Sequence, residues 1–569
     1  MSILSLVGRM ALHIRSGFRG RAREFIPAGR RNLIYFPVMD SSTSPQIRAA
    51  LAAVILAGGA VRITSLGRES LWLDEAFSLW YSSLPLRELW TAVPLYETHP
   101  PFYHALLKGW KALFGESEAA MRSLSALAGT ATIPLVYLLG RQAAGPLAGV
   151  FAAAILALSP THIYYSQETR PYALLVLCAT GAMLAAWWLG ANPKKAALPM
   201  CGLRASPDNG AGHMEARRNA ALAWGALAAF SALCLWLHNV SGFLMAALIA
   251  STFPRVLGNL ERPGWFLINA LMAAAAAVAL WSPFLPVFAK QMGNVAGSFW
   301  APGLSWWTVY AGLMEIFFAF MYIKPFMAFM LALAAYGLIQ MGRGHGLAAA
   351  WAMASLMLVP LILILAFCFA IKPVFVPRTI LWITIPFMVL AGAGLAQAGG
   401  QRWTMKAALA FVALAGFAAG DYNYLTSSVR EPWRQMAALT AKDYKKGDVI
   451  LLLPNSLTIP FGYYASRLHV PFKTIPLPEP FPAKGTGRPY PSGNMAEPGF
   501  TQADLAMVEA VDCQSASVWA ILRRPADFDP DNIILKNLDA RCAMAHGGSV
   551  RDILIYRFHG KKQDHNAGR

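Results

Sequence analysis

Eleven apolar segments fill most of the chain between residues 48 and 420, at 48–66, 119–140, 144–160, 171–190, 220–237, 239–254, 265–286, 325–341, 349–371, 379–398 and 405–420. In hydrocarbon every backbone amide must find its partner within its own segment, and about 20 apolar residues in a helix cross the bilayer core. Segments of this kind predict an all-α polytopic membrane protein with about 11 transmembrane helices. The composition agrees. Only 14% of the 569 residues are charged and 56% are hydrophobic, whereas soluble domains carry roughly a quarter charged residues.

The formal net charge is +19, and much of it sits in short loops between apolar segments. That distribution follows the positive-inside rule and excludes a nucleic-acid reading, which would need a concentrated basic face. Residues 1–45 are read as a retained cytoplasmic basic tail, with no small-residue cleavage site. Arg141, the 194–218 and 255–262 loops, Arg343 and 402–406 then fall on the cytoplasmic side. The opposite side receives 67–118, 161–170, 287–324, 372–378 and everything from 421 onward. Leu304–Tyr322 is apolar enough to span, yet counting it would invert the later loops. Its Trp306-Trp307 pair suits a helix lying at the interface.

Residues 421–569 change character. Strand-like runs at Val449–Pro454, Ser517–Leu522 and Ile553–Phe558 alternate with Pro, Gly and Asp turns. The pattern predicts a small C-terminal extracytoplasmic α/β domain, with a mobile loop at Pro476–Gly499. Of the six cysteines, Cys178, Cys234 and Cys368 lie in apolar segments and suit plain packing. Cys513 and Cys542 both lie in the C-terminal region, where an oxidising compartment would allow a disulfide. No cysteine spacing suggests a metal site.

Candidate chemistry collects in the outward loops. Asp74 and Glu75 stand in Glu69-Ser70-Leu71-Trp72-Leu73-Asp74-Glu75-Ala76-Phe77-Ser78. Carboxylates beside hydrocarbon are costly and mark function by default; the plainer reading is a capping pair in a surface loop. As sequence neighbours they cannot share one helix face, so each has its own task. His99 precedes Pro100-Pro101, a helix-start signal, and so stands at the amino end of a new helix, where an anion is favoured. The connection Pro160–Tyr172 holds Glu168, Arg170 and Tyr172. Arg170 suits a phosphate because its planar donors bind two oxygens at once, the alternative being an Arg–Glu pair closing a loop. Arg378 sits in another outward hairpin, Lys372–Arg378, placed either for an anionic substrate or by snorkelling. Lys290, Gln291 and Asn294 form a weaker polar loop. His238-Asn239 is read as a packed polar pair.

Three motifs together, Leu71-Trp72-Leu73-Asp74-Glu75-Ala76, Thr98-His99-Pro100-Pro101-Phe102-Tyr103 and Tyr165-Ser166-Gln167-Glu168-Thr169-Arg170-Pro171-Tyr172, resemble membrane glycosyltransferases of the GT-C fold. The resemblance spans 46–420 and takes in dolichyl-phosphate-mannose-protein mannosyltransferases and aminoarabinose transferases (bacterial glycosyltransferase families 39 and 83). It implies a polyprenyl-phosphate sugar donor and an acidic first outer loop, 67–118, that bears the catalytic aspartate. That role passes to Asp74, with Glu75 beside it. His99, Glu168, Arg170, Tyr172 and Arg378 are the candidates for donor phosphate and sugar. The chain departs from the aminoarabinose transferases in having Phe77-Ser78 after the acidic pair and His99 where they tend to have lysine.

The resulting expectation is an integral-membrane glycosyltransferase that moves a sugar from a polyprenyl phosphate to an extracytoplasmic acceptor by inverting displacement. The acceptor is a glycan such as lipopolysaccharide, a lipid or a protein of the cell envelope. The location expected is the bacterial inner (plasma) membrane. No cofactor is required; a divalent cation could sit at Asp74-Glu75 without being obligatory. The alternative is a polytopic lipid or sugar transporter or flippase. It is weakened by polar residues gathering on one face, since transporters bind nearer the bilayer midplane.

Overall fold

The structure, a computed structural model, describes residues 44–561 apart from 92–93, 95–96, 199–210, 260–263, 298–300, 302, 322 and 484–495. Nearly all of the expected amino-terminal tail, and half of the loop expected at 476–499, lie outside the described residues.

Helix α1 (Pro45–Ile63) opens the membrane region. The outer loop that follows is itself helical, with α2 (Leu73–Ser83), α3 (Leu86–Thr91) and α4 (Phe102–Phe114). The chain then re-enters as α5 (Glu118–Ala144), α6 (Pro146–Ala157) and α7 (Pro160–Ser166), followed by α8 (Tyr172–Ala191). Next come α9 (Ala211–Leu237), α10 (Ser241–Asn259), α11 (Gly264–Trp281), α12 (Leu285–Gly297) and α13 (Trp306–Phe318). The membrane region closes with α14 (Lys324–His345), α15 (Leu347–Ala370), α16 (Thr384–Gln397) and α17 (Trp403–Thr426).

All eleven expected apolar segments are helical, but they are not equal. Among the described residues nine helices are long and apolar enough to cross a membrane. A tenth span is α6 with α7, bent by 60° where Ser159-Pro160 interrupts the ladder; proline cannot donate and favours a fresh helix start. The eleventh, Ser241–Val256, is apolar but short. Helix α13, at 13 residues, is too short to cross, and Trp306 and Trp307 are exposed, as an interfacial helix requires.

Burial identifies the central spans. The apolar stretch of α8 is 94% buried and that within Pro377–Gln397 is 100% buried, whereas those of α1 and α17 are 22% buried. Helices α14 and α16 touch through Gly337 and Gly394, where an added Cβ would meet the carbonyls of Leu390 and Leu333. Such close backbone approach is how helices associate in lipid without a hydrophobic driving force.

After α17 comes α18 (Trp433–Asp443), then a five-stranded sheet of β1 (Val449–Leu453), β2 (Lys473–Pro476), β3 (Val518–Arg523), β4 (Cys542–Val550) and β5 (Ile553–Gly560). Between strands lie α19 (Thr458–Leu468) and α20 (Ile533–Arg541). The order is β2-β1-β3-β5-β4, with β2-β1-β3 parallel and β3-β5-β4 antiparallel. Strands β1, β3 and β5 match the predicted runs. Strands β2 and β4 carry exposed polar residues at the sheet edges and lack the apolar pattern that would betray them. Cys513 and Cys542 are joined by a disulfide.

The sheet and the outer loop share one core. Leu73, Phe77, Tyr81 and Leu89 pack with Trp433, Ile450, Phe461 and Trp519. Helix α2 is thus held between the membrane spans and the C-terminal region.

Candidate active site

Asp74 and Glu75 occupy the first turn of α2 and diverge, as adjacent helical positions must. Asp74 keeps a quarter of its side chain exposed, with Oδ2 3.5 Å from Nη2 of Arg378. Glu75 is wholly buried. Its Oε1 accepts from Arg122 Nε at 2.8 Å and from the Thr169 amide at 2.9 Å, and its Oε2 accepts from Arg122 Nη2 at 2.6 Å. Arg430 Nε approaches Oε2 at 3.6 Å. Burial pushes the Glu75 carboxyl up, but Arg122 and Arg430 overcome it and hold the group below the usual carboxylate range. The expectation of a catalytic acidic pair therefore divides into an open carboxylate and an anchored one.

Arg122 projects from α5 and also donates to the carbonyls of Leu66, Glu69 and Ser70, at 2.7, 2.8 and 2.7 Å. One guanidinium thus fixes the whole approach to α2. A buried charge pair this well satisfied is costly to break on one side, by roughly 3–5 kcal/mol.

The 167–170 turn docks beside it. Gln167 Nε2 donates to the carbonyls of Val61 and Thr64, and Arg430 Nη2 donates to the Gln167 carbonyl at 2.6 Å. Arg170 then points at the outer loop. Its Nη1 stands 3.8 Å from Glu97 Oε2 and 3.4 Å from the Asp74 carbonyl. His99 Nδ1 lies 2.7 Å from Glu97 Oε1 and 3.1 Å from Arg170 Nη2, and its Nε2 lies 3.5 Å from the same arginine nitrogen, so the ring bridges Glu97 and Arg170. Burial and the Arg170 charge hold the His99 imidazole below its ordinary value, against the pull of Glu97. Burial alone would raise Glu97, yet His99 and Arg170 bring it well below the carboxylate range.

Arg378 begins the deeply buried span of α16 and donates through Nε to the Tyr172 hydroxyl at 2.9 Å. Tyr172 opens α8, the other central span. The two most buried spans therefore deliver Arg378, Tyr172 and Arg170 to one place, opposite Asp74. Glu168 is also buried there, and neither of its oxygens has a hydrogen-bond partner. Burial, reinforced by the charge of Glu75, pushes its carboxyl up to about 7.

Asp74, Glu75, His99, Glu168, Arg170, Tyr172 and Arg378 all fall within this assembly. Arg170 is joined to Glu97 and His99, so the reading of an Arg170–Glu168 pair closing a loop does not describe it. His238, read as a packed polar residue, stacks edge-on to His99 at 4.8 Å. Gln291 Nε2 donates to the Glu97 carbonyl at 2.6 Å, and Asn239 Nδ2 donates to the Thr98 carbonyl at 3.0 Å. The side chains of Lys290 and Asn294 lie outside the described residues. Sequence reasoning missed Glu97, Arg122 and Arg430. Glu97 stands two residues before His99, close enough in extended chain to have been suspected. A separate cavity of about 310 Å³, lined by Arg68, Glu69, Arg430, Glu431 and Gln435 among others, includes none of Asp74, Arg170 and Arg378. Among the described residues no three His, Cys, Asp or Glu side chains converge as metal ligands.

The architecture is the GT-C fold, a multi-pass membrane bundle with a small C-terminal sheet domain, and the charged loops gather on one side of it. ArnT from Cupriavidus metallidurans in the apo state is similar at a TM-score of 0.56 and 13% identity, covering 90% of this chain and 97% of that one. The same protein bound to undecaprenyl phosphate is similar at a TM-score of 0.52, again at 13% identity, over 90% and 98%. The archaeal oligosaccharyltransferase AglB from Archaeoglobus fulgidus, in complex with an inhibitory peptide and a dolichol-phosphate, gives a TM-score of 0.49 at 12% identity, over 91% and 75%. Residues 98–205 match the family model described as dolichyl-phosphate-mannose-protein mannosyltransferase. No curated protein sequence matches the chain.

Proposed function

We propose that this protein is a membrane glycosyltransferase that moves a sugar from a polyprenyl-phosphate donor to a hydroxyl of an extracytoplasmic acceptor, in the inner membrane of a bacterium. The observation that carries the reading is the open Asp74 carboxylate set against Arg378, with Arg170 Nη1 3.4 Å from the Asp74 carbonyl. A partly open anion beside two cations, each cation also fixed by another partner, suits a reaction that needs a proton acceptor and a site for developing negative charge.

The reaction is a single inverting displacement. The acceptor oxygen attacks the anomeric carbon while Asp74 takes its proton. The bond from that carbon to the phosphate oxygen breaks, and the electron pair leaves with the polyprenyl phosphate. Arg378 and Arg170 meet the charge that grows on the phosphate, and cations placed in advance lower the barrier more than they tighten ground-state binding. Tyr172 orients Arg378, and His99 with Glu97 orients Arg170. Glu168, whose carboxyl is pushed up to about 7, supplies in its protonated form a hydroxyl donor for a phosphate or sugar oxygen. Glu75 fixes the backbone that carries Asp74. The neighbour crystallised with undecaprenyl phosphate supports the donor class, and the matched mannosyltransferase segment covers His99, Glu168, Arg170 and Tyr172.

The test is reconstitution of the full chain in vesicles with undecaprenyl phosphate carrying a tritiated sugar, mannose first, and cell-envelope extract as acceptor. Radiolabel in a new covalent product, formed roughly 10²–10⁴-fold more slowly with Asp74→Asn, supports the reading. Movement of the labelled lipid across the bilayer with no bond formed would favour a flippase instead.

A further inference from the structure

Helix α2, which carries Asp74, has half a capping box: Glu75 Oε2 accepts from the Trp72 amide at 3.4 Å, while no N-cap side chain serves the first-turn amides. Trp72 stands at the N-cap and its side chain makes no capping hydrogen bond, since an indole has no oxygen to offer those amides. The acceptor arrives from the other end of the chain. Glu431 Oε2 accepts from the Leu73 amide at 3.0 Å, one residue before Asp74.

That carboxylate is braced on both oxygens. Oε1 accepts from Arg523 Nε at 2.7 Å, and Oε2 also accepts from Trp433 Nε1 at 2.7 Å. Arg523 ends β3, the middle strand of the sheet, and its charge also reaches Asp74. A second hold lies two residues earlier. The Tyr464 hydroxyl accepts from the Leu71 amide at 2.6 Å and donates to Glu118 Oε1 at 3.0 Å. Negative charge at this end of α2 also complements its macrodipole.

We propose that Glu431, braced by Arg523, is a positioning residue for the transfer reaction: it fixes the first turn of α2 and thereby the direction of the Asp74 carboxylate. The C-terminal sheet is then a working part of the active site. The inference rests on the reading of Asp74 as proton acceptor and adds how that group is aimed. Misplacement of a reacting group by about 1 Å can cost 10²-fold in rate.

The test is a double-mutant cycle on the full chain in vesicles, with turnover read from the tritiated polyprenyl-phosphate sugar and binding read with undecaprenyl phosphate alone. Glu431→Ala should lower kcat roughly 10–100-fold and leave undecaprenyl phosphate affinity unchanged, in protein that stays folded at the assay temperature despite a lower unfolding temperature. Glu431→Gln, which keeps an acceptor oxygen for Leu73, should recover part of the loss. In an Asp74→Asn background, Glu431→Ala should cost less than about twofold more, because residues acting through one group are not additive. If Glu431→Ala misfolds, Arg523→Gln set against Arg523→Lys carries the same comparison.

Equal losses in both backgrounds would overturn the proposal, because they assign Glu431 to general stability. An active Glu431→Ala in the wild-type background would overturn it too. Near-normal transfer by Asp74→Asn alone removes both this inference and the reading beneath it, and so differs from either failure.

Discussion

Arg378 holds Asp74 and Tyr172 at once: its Nη2 lies 3.5 Å from the Asp74 carboxylate and its Nε donates to the Tyr172 hydroxyl at 2.9 Å. The cation thus sits between the candidate proton acceptor and the start of a central span. It is fixed by a phenol and shares its charge with a carboxylate that remains partly open. A phosphate arriving beside it meets a guanidinium whose direction is already set.

Replacing Arg378 with alanine removes that preset charge. Loss of one donor aimed at developing charge typically costs 10²–10³-fold in kcat, and a loss of that size is the expected outcome. Arg378→Lys keeps the charge but not the planar fork that serves Tyr172 and Asp74 together. It should fall between the two in initial rates of sugar transfer. A lysine variant as fast as wild type would show that the geometry at Tyr172 is irrelevant.

The anchored partner of Asp74 behaves differently. Arg122→Ala leaves Glu75 buried beside carbonyls that have lost their donor, at an expected cost of roughly 3–5 kcal/mol. The readout is a fall in unfolding temperature and in the yield of monodisperse protein. Glu75→Gln in the Arg122→Met background removes both charges and should restore much of that stability without restoring transfer. Full activity in the double variant would show that the bridge is incidental to the site.

Much of this arrangement could be read from the chain. The helical spans were visible because apolar runs of that length have one outcome in lipid, and each site candidate lay in a connection between apolar segments. Which carboxylate stays open was not visible, because it depends on Arg122 and Arg430, distant in sequence and on different elements. Glu97 was hidden for a related reason: its meaning comes from Arg170, 73 positions later. Strands β2 and β4 escaped because their exposed faces carry no period-two apolar pattern. The bend at Ser159-Pro160 was legible as a proline but not as a 60° turn.

The Cys513–Cys542 disulfide offers a topological test independent of activity. The bridge closes a separation of 29 residues in the C-terminal sheet region, and such bridges persist in oxidising compartments. Intact cells treated with a membrane-impermeant reductant and then a maleimide reagent should gain two labels on these cysteines. Cys178, Cys234 and Cys368, all buried, should stay unlabelled. Replacing both bridged cysteines with serine should cost roughly 2–4 kcal/mol in the C-terminal region. Labels on Cys513 and Cys542 that an impermeant maleimide adds only after the cells are permeabilised, with no reductant, would place that region in the cytosol, opposite to the proposed orientation.

Glu168 sets the pH behaviour. Its carboxyl is raised from 4.5 to about 7, first by burial and then by the charge of Glu75, so the folded protein favours the protonated form. The stability this contributes is fully present below about pH 4.5, where the unfolded chain is protonated too. It is lost as pH rises through about 7, where the folded chain must bury a carboxylate. The displacement corresponds to about 3 kcal/mol. Glu168→Gln keeps the shape and cannot ionise, so it should match wild type in unfolding temperature near pH 4.5 and exceed it above pH 7. The same variant should flatten any decline in sugar transfer between pH 6 and 8 if the neutral acid serves the donor. Parallel unfolding curves for the two proteins across pH 4.5–8 would mean that Glu168 is already charged in the folded state, with a cation satisfying it.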